Sequence, residues 1–290
     1  MLRILICSTF AFSSLAFAQP TYYNEVSRIF RDKCENCHRD NDIAPFALKD
    51  YDTAQSWAMD IRSAISENRM PPWKPVAGHG EFKGSYALTV EEKQTIIVWV
   101  DAGAPDGDDT NRLQPMEDKG EWALGYPDKV LSMLQSYTPP RGTDVYRCFV
   151  IPTDFTETKY LRAVDVLPGN RGIVHHVLLY ADTKGIGDKL DAEDPEPGYS
   201  CFGGPGIELS INTLTAQLGG WAPGQRPRFM PDDVGFEVPA GAKVIMQVHY
   251  FPVGKTGEDQ TRVGFYFADK KPKNKMLMIP VLNQTFKVAA

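Results

Sequence analysis

The sequence has 290 residues, of which 42% are hydrophobic and 23% are charged. This balance is typical of a globular protein and excludes a disordered or fibrous chain. The length allows two domains of ordinary size. The formal net charge is −6 at pH 7, and the chain lacks the basic cluster that nucleic-acid binding would require.

Residues 1–18 have the features of a secretory signal peptide. A basic start at Arg3 precedes an apolar run, and Ala16-Phe17-Ala18 offers a small-x-small cleavage site before Gln19. The apolar run is too short to form a membrane-spanning helix. We therefore expect an exported protein, secreted or periplasmic, without a membrane span.

Residues 19–115 carry three helical patterns. The first follows Thr21, a plausible N-cap, and the second begins after Thr53. The third opens with a capping box, Thr89-Val90-Glu91-Glu92, and ends before Gly103. These patterns predict a small all-helical domain.

A single motif in this domain, Cys34-Glu35-Asn36-Cys37-His38, has the spacing of a c-type haem attachment site. Cys34 and Cys37 can form thioether bonds to the two vinyl groups of one haem, and His38 can then reach the iron. The alternatives are a CxxC redox pair or half of a zinc site. The sequence has no second CxxC and no βαβ pattern here, so haem c is the prediction.

The second axial ligand of the haem iron is predicted to be Met70. It ends the second helical pattern in Arg69-Met70-Pro71-Pro72-Trp73, where the prolines force an extended turn. Met59 and His79 are the competing candidates. With its CxxCH motif and Met-Pro-Pro-Trp segment, this third of the chain resembles small bacterial class I-type cytochrome c domains, which implies a His/Met-ligated haem.

The stretch from Asp101 to Gly120 is rich in glycine, proline and aspartate and has almost no periodicity. That composition predicts an exposed connection, with the linker itself at residues 116–121. Residues 122–290 then alternate between apolar and polar positions and predict an antiparallel β-sandwich or jelly roll without intervening helices. The predicted strands are Asp144–Ile151, Lys159–Val166, Ile173–Ala181, Val234–Val238, Ala242–Phe251, Arg262–Ala268 and Lys275–Val281.

Three of the five histidines lie in two of these apolar strands. Burying an unpartnered imidazole is costly, so His175, His176 and His249 are predicted to ligate one metal ion. Adjacent residues of a regular strand point to opposite faces, so the strand must bulge for His175 and His176 to converge. Gln247 lies on the same strand face as His249 and is a candidate partner for the ligands. Three imidazoles suit copper or zinc.

Cys148 and Cys201 remain once the signal peptide and the haem motif are set aside. In an oxidising compartment this pair can form a disulfide. The sequence leaves open whether their Cα atoms lie close enough.

Four segments together resemble the first half of the type II copper, ascorbate-dependent monooxygenases. They are Val174-His175-His176-Val177-Leu178-Leu179-Tyr180, Gly220-Trp221-Ala222-Pro223-Gly224-Gln225, Val234-Gly235-Phe236-Glu237-Val238-Pro239 and Gln247-Val248-His249-Tyr250. The resemblance implies a copper centre at His175, His176 and His249 that stores and delivers electrons. The family's oxygen-activating copper is bound in a second domain through a His-x-His pair, which this sequence does not contain.

We therefore expect an exported haem–copper oxidoreductase in which the haem passes electrons to the copper. It needs an electron donor, and hydroxylation needs an oxygen-activating domain that is either on a separate chain or lost by truncation. One alternative is a periplasmic electron-transfer or copper-binding protein that performs no catalysis. Another is a zinc hydrolase, since three histidines and a water form a known catalytic zinc arrangement.

Overall fold

The computed structural model describes residues 19–40, 44–76, 78–82, 84–114, 121–207, 216–252, 254–279, 285 and 287. These residues form two compact units, one up to residue 114 and the other from residue 121. The predicted signal peptide and most of the predicted linker lie outside the described residues. Within the described residues, no helix is long and apolar enough to cross a membrane.

The regular elements described in the first unit are helical. A π-helical turn leads into α1, and α2 and α3 are separated only by Trp57. The bounds are Tyr22–Val26 for the π-helical turn, Ser27–Lys33 for α1, Tyr51–Ser56 for α2, Ala58–Ser66 for α3, Val90–Asp101 for α4 and Asp109–Asn111 for a final 3₁₀ turn.

One of the three predicted helix starts and one predicted side-chain cap differ from the structure. Thr21 precedes the first turn but makes no side-chain cap, and α2 begins earlier than predicted because the Asp50 carboxylate accepts a hydrogen bond from the Thr53 amide. The capping box is confirmed, since Thr89 and Glu92 each bond the other's backbone amide. Both kinds of contact satisfy amide groups that the first helical turn cannot pair internally.

Most of the segment after α4 is exposed, as predicted, but Ala104 is buried and Pro105 is partly buried. The Pro105 carbonyl accepts hydrogen bonds from the Trp99 indole and the Tyr22 amide, at 2.9 and 3.0 Å. Ala104 is buried against the same core as Trp99. Composition alone could not reveal this, because a glycine- and proline-rich segment can still pack when its backbone finds partners.

The second unit is a sandwich of two five-stranded sheets. The first has the order β1-β9-β3-β7-β10 and the second the order β5-β2-β8-β4-β6. All described pairs are antiparallel except β10 with β7. The strands are β1 Lys129–Ser132, β2 Val145–Pro152, β3 Lys159–Leu167, β4 Val174–Asp182, β5 Tyr199–Ser200, β6 Gln217–Trp221, β7 Val234–Val238, β8 Lys243–Tyr250, β9 Arg262–Phe267 and β10 Asn274–Lys275.

Six of the seven predicted strands appear within one or two residues of their predicted ends. The seventh, Lys275–Val281, is wrong over residues 276–279, which form no strand and expose most of their apolar side chains. The expectation that no helix intervenes is also wrong, because α5 spans Ile186–Glu193. Strands β1, β5 and β6 were not predicted: β5 has only two residues, and the two central glycines of β6 obscure its alternation.

The two faces of the second sheet bury different clusters. Val244, Met246 and Val248 of β8 enter the core between the sheets. Ile245 points to the outer face, where it packs with the Cys148–Cys201 pair. Since side chains alternate along a strand, Gln247 and His249 share the outer face with Ile245. The predicted metal ligands therefore lie outside the sandwich core, near one end of the central strand.

Candidate metal centre

A β-bulge in β4 brings two consecutive histidines to one site. Val174 pairs with Tyr250 and His176 pairs with His249, which leaves His175 as an extra residue opposite a single step of β8. A bulge of this kind bends the strand and redirects side chains. The sequence-based requirement for an irregular strand at this point is therefore confirmed.

The three imidazoles converge through the same ring nitrogen. The Nδ1 atom of His249 lies 3.1 Å from Nδ1 of His175 and 3.3 Å from Nδ1 of His176, and the last pair is also 3.3 Å apart. The centre of such a triangle is about 1.9 Å from each corner, close to the usual metal–imidazole bond of about 2.0–2.1 Å. The donor set thus fits one small divalent or monovalent metal ion. Among the described residues, it is the one group of three or more His, Cys, Asp or Glu side chains that could hold a metal.

The ligands differ in their access to solvent. His249 is buried at 6% exposure, His176 is intermediate and His175 is exposed. Burial, followed by the proximity of His249 and His175, lowers the pKa of His176 to about 4. A neutral imidazole is the form that binds metal, so this environment keeps His176 ready to ligate well below neutral pH.

His249 contacts one residue of β2 and the residue directly before that strand. The His249 Nε2–H donates to Oδ1 of Asp144 at 3.0 Å, and the Tyr146 ring stacks on the imidazole with centroids 4.1 Å apart and planes 7° apart. Neither residue was predicted. Their spacing of two residues places both on one face of the strand, which the sequence does show. Their position beside His249 follows only from the pairing of β2 with β8.

Gln247 does not contact the histidines through its amide, in contrast to the role suggested for it. Its Nε2 donates to the Cys201 backbone carbonyl at 2.9 Å. Cys201 forms a disulfide with Cys148 of β2, with the Cα atoms 5.9 Å apart. The glutamine therefore ties β8 to the disulfide-linked loop, and Asp144 takes the position beside the buried ligand.

Residues 131–256 match the family model described as the copper type II ascorbate-dependent monooxygenase N-terminal domain. The match contains all three histidines and both disulfide cysteines. This part of the chain is therefore similar to the copper-binding N-terminal domain of the type II monooxygenases. A comparison of the chain with curated proteins found no significant match.

The copper monooxygenase domain thus brings its sequence-predicted ligands together at one site. The family match and the three-histidine cluster support a copper-binding role of oxidoreductase type. Its imidazole-only donor set suits copper, for which imidazole is a preferred ligand. Residues 19–114 lie outside the matched range, so the haem prediction rests only on the motif residues in that segment.

In the helical unit, His38 is oriented by a backbone contact. Its Nδ1 lies 3.1 Å from the Phe46 carbonyl oxygen, which can only accept, so Nδ1 carries the proton and Nε2 is the unprotonated nitrogen in the neutral ring. Burial lowers the pKa of His38, although the Phe46 contact opposes the shift. The net lowering of the pKa favours the neutral imidazole, which is the form that can bind a metal.

The two motif cysteines lie immediately before His38 on one tight turn. The Cys37 and His38 amides both donate to the Cys34 carbonyl at 3.0 Å. Burial raises the pKa of the Cys34 thiol to about 12, with Glu35 and Cys37 adding to the shift. A redox-active CxxC needs a lowered thiol pKa, so this environment argues against that alternative.

The candidate distal ligands are all solvent-exposed. Met70 follows α3, its amide donates to the Ala64 carbonyl, and its side chain is 42% exposed. Met59 is more exposed, at 71%, and His79 lies in an exposed loop. Exposed apolar side chains in this unit fit a fold that an apolar cofactor would complete, and the choice of Met70 remains a prediction.

Proposed function

We propose that this chain is an exported haem–copper oxidoreductase in which a c-type haem supplies electrons to the copper of the monooxygenase domain. The observation that carries the proposal is the convergence of three Nδ1 atoms within 3.1–3.3 Å of one another. Bound copper would supply one-electron transfer at this site. His175, His176 and His249 would hold it.

These ligands suit electron transfer because each contributes a neutral donor. A donor set without carboxylate or thiolate leaves the choice between the two copper charge states to the surrounding protein. The bulge fixes two ligands on one strand and the adjacent central strand fixes the third. A site built on paired strands holds its ligands more precisely than one built on loops.

On the haem side, Cys34 and Cys37 would attach the porphyrin, and His38 and Met70 would bind its iron. Methionine ligation raises the reduction potential of a haem, as suits an electron carrier. Attachment by thioether bonds needs reduced thiols, and the high pKa of Cys34 keeps that sulfur protonated. The predicted export of the chain would place it where c-type haem is assembled.

The proposed partners are an electron donor and an oxygen-activating copper domain. The present sequence has no His-x-His pair, so hydroxylation would depend on a separate chain or on further sequence. Without such a domain the protein would shuttle electrons or hold copper and form no product. Reversible reduction without substrate turnover would distinguish that non-catalytic role.

Zinc is the second candidate metal, and the exposure of His175 favours it. An open side of a three-histidine site can hold a metal-bound water, which is the arrangement of catalytic zinc. The ligand spacing does not distinguish the two metals, because their bonds to imidazole have similar lengths. Zinc would predict hydrolysis and no redox change.

Metal analysis of the full chain after periplasmic expression tests the proposal. We expect one covalent haem per chain and one copper, with a Cu(II) signal by electron paramagnetic resonance that disappears on reduction. His249→Ala should lose most of the copper and keep the haem, while Cys37→Ala should lose covalent haem and keep the copper. Zinc without copper in the wild-type protein would favour the hydrolase and overturn the haem–copper assignment.

A further inference from the structure

The buried copper ligand has a polar partner on the side facing away from the metal site. The His249 Nε2–H donates to Oδ1 of Asp144 at 3.0 Å. Because a carboxylate accepts and does not donate, this contact places the proton on Nε2. The lone pair of Nδ1 is then directed towards His175 and His176, which are 3.1 and 3.3 Å away.

Sheet geometry explains why Asp144 reaches this position. Tyr146 of β2 is directly opposite His249 of β8. Asp144 precedes Tyr146 by two residues, so it lies on the same face and diagonally across from His249. Tyr146 therefore covers one face of the imidazole, and Asp144 meets its edge. Residues 144–146 therefore restrict the His249 ring both by stacking and by a hydrogen bond.

We infer that Asp144 is a positioning residue for the copper centre, acting through His249. The inference rests on the proposed copper function and deepens it. Asp144 would act in two separable ways, by fixing the orientation of the ring and by placing a negative charge behind it. The charge would make the imidazole a stronger donor and favour Cu(II) over Cu(I).

The exposure of the carboxylate indicates which effect is larger. The Asp144 side chain is 55% exposed, whereas that of His249 is 7% exposed. Solvent screens an exposed charge, so the electrostatic effect on the copper is attenuated. The hydrogen bond to a buried ring is less affected, so orientation should dominate affinity and charge should act mainly on the reduction potential.

Two substitutions separate these effects. Asp144→Asn keeps an oxygen that can accept from Nε2 but removes the charge, and Asp144→Ala removes both. Asp154→Asn is the matched control, because Asp154 is an exposed carboxylate in the turn between β2 and β3. The measurements use the full chain with copper as the only added metal: affinity by competition with a chelator, the Cu(II) resonance spectrum, and the copper midpoint potential.

We expect Asp144→Ala to bind copper about 10–100-fold more weakly, in line with other partners of metal-bound histidines, and to change the Cu(II) spectrum. Asp144→Asn should retain affinity within about threefold and have a higher midpoint potential than the control. If wild type binds copper and Asp144→Ala matches it in affinity, spectrum and potential, the inference is wrong and the copper function stands. If wild type binds no copper, the proposed function itself fails. Should Asp144→Ala fail to fold, an unshifted potential in Asp144→Asn would overturn the role of the charge.

Discussion

His176 of β4 pairs directly with His249 of β8, and their Nδ1 atoms lie 3.3 Å apart across the two strands. This is a cross-strand pair in which both side chains point away from the sandwich core. The bulge then adds His175 to the same face. Two paired strands and one inserted residue therefore build a three-ligand site without a contribution from any loop.

We predict that His176→Ala reduces copper affinity by at least about 10-fold, because two imidazoles cannot complete the triangle. His79→Ala is the control, since His79 is an exposed histidine in the helical unit. Copper titration of the full-length variants measures both. Equal copper affinity in His176→Ala and His79→Ala would contradict the assignment of the site.

The sequence revealed the ligands of this centre because they interrupt strongly apolar strands. It also required the bulge, since His175 and His176 could not otherwise share a face. Asp144 and Tyr146 could not be found in this way, because their roles depend on the pairing of β2 with β8, which joins residues about a hundred positions apart. Register between distant strands is a tertiary property that local periodicity does not contain.

At two places tertiary contacts override the structure that local composition predicts. The composition of the segment containing Pro105 predicts a linker, but the Pro105 carbonyl accepts the hydrogen bond of the buried Trp99 indole. The apolar residues 276–279 read as a strand, but only Asn274–Lys275 pairs with a neighbour. A strand forms only where its backbone pairs with a neighbouring strand, and an apolar sequence pattern does not show whether such a neighbour is present.

The environment of His176 predicts a pH dependence for the metal-free protein. Folding lowers the pKa of this imidazole from 6.5 to about 4, mainly through burial. The folded chain therefore binds this proton less tightly than the unfolded chain. The stabilisation is complete above pH 6.5 and is lost as the pH falls from 6.5 towards 4.

Chemical denaturation of metal-free protein between pH 7 and 4 measures this effect. We expect the free energy of unfolding to fall less steeply in His176→Gln than in wild type over that range. A nuclear magnetic resonance titration should place the midpoint of His176 well below that of an ordinary histidine. A His176 midpoint near 6.5 would show that the site does not depress its pKa.

The Cys148–Cys201 disulfide is predicted to stabilise the copper domain. It closes a sequence separation of 53 residues and joins β2 to the loop whose carbonyl accepts from Gln247. Replacing both cysteines with serine should lower the free energy of unfolding by about 2–5 kcal/mol. Urea denaturation with and without reductant measures the loss. The double variant should not respond to reductant, and a wild-type protein equally indifferent to it would contradict the prediction.

The identity of the distal haem ligand can be tested with two methionines. If Met70 binds the iron, Met70→Ala should change the haem from low spin to high spin in its absorption spectrum, because a sixth ligand is lost. Met59→Ala is the matched control, since Met59 lies on α3 of the same unit and is 71% exposed. It should leave the spectrum unchanged. If Met70→Ala stays low spin and becomes high spin only when His79→Ala is added, the ligand is His79 instead. The haem would then have a lower reduction potential than methionine ligation gives.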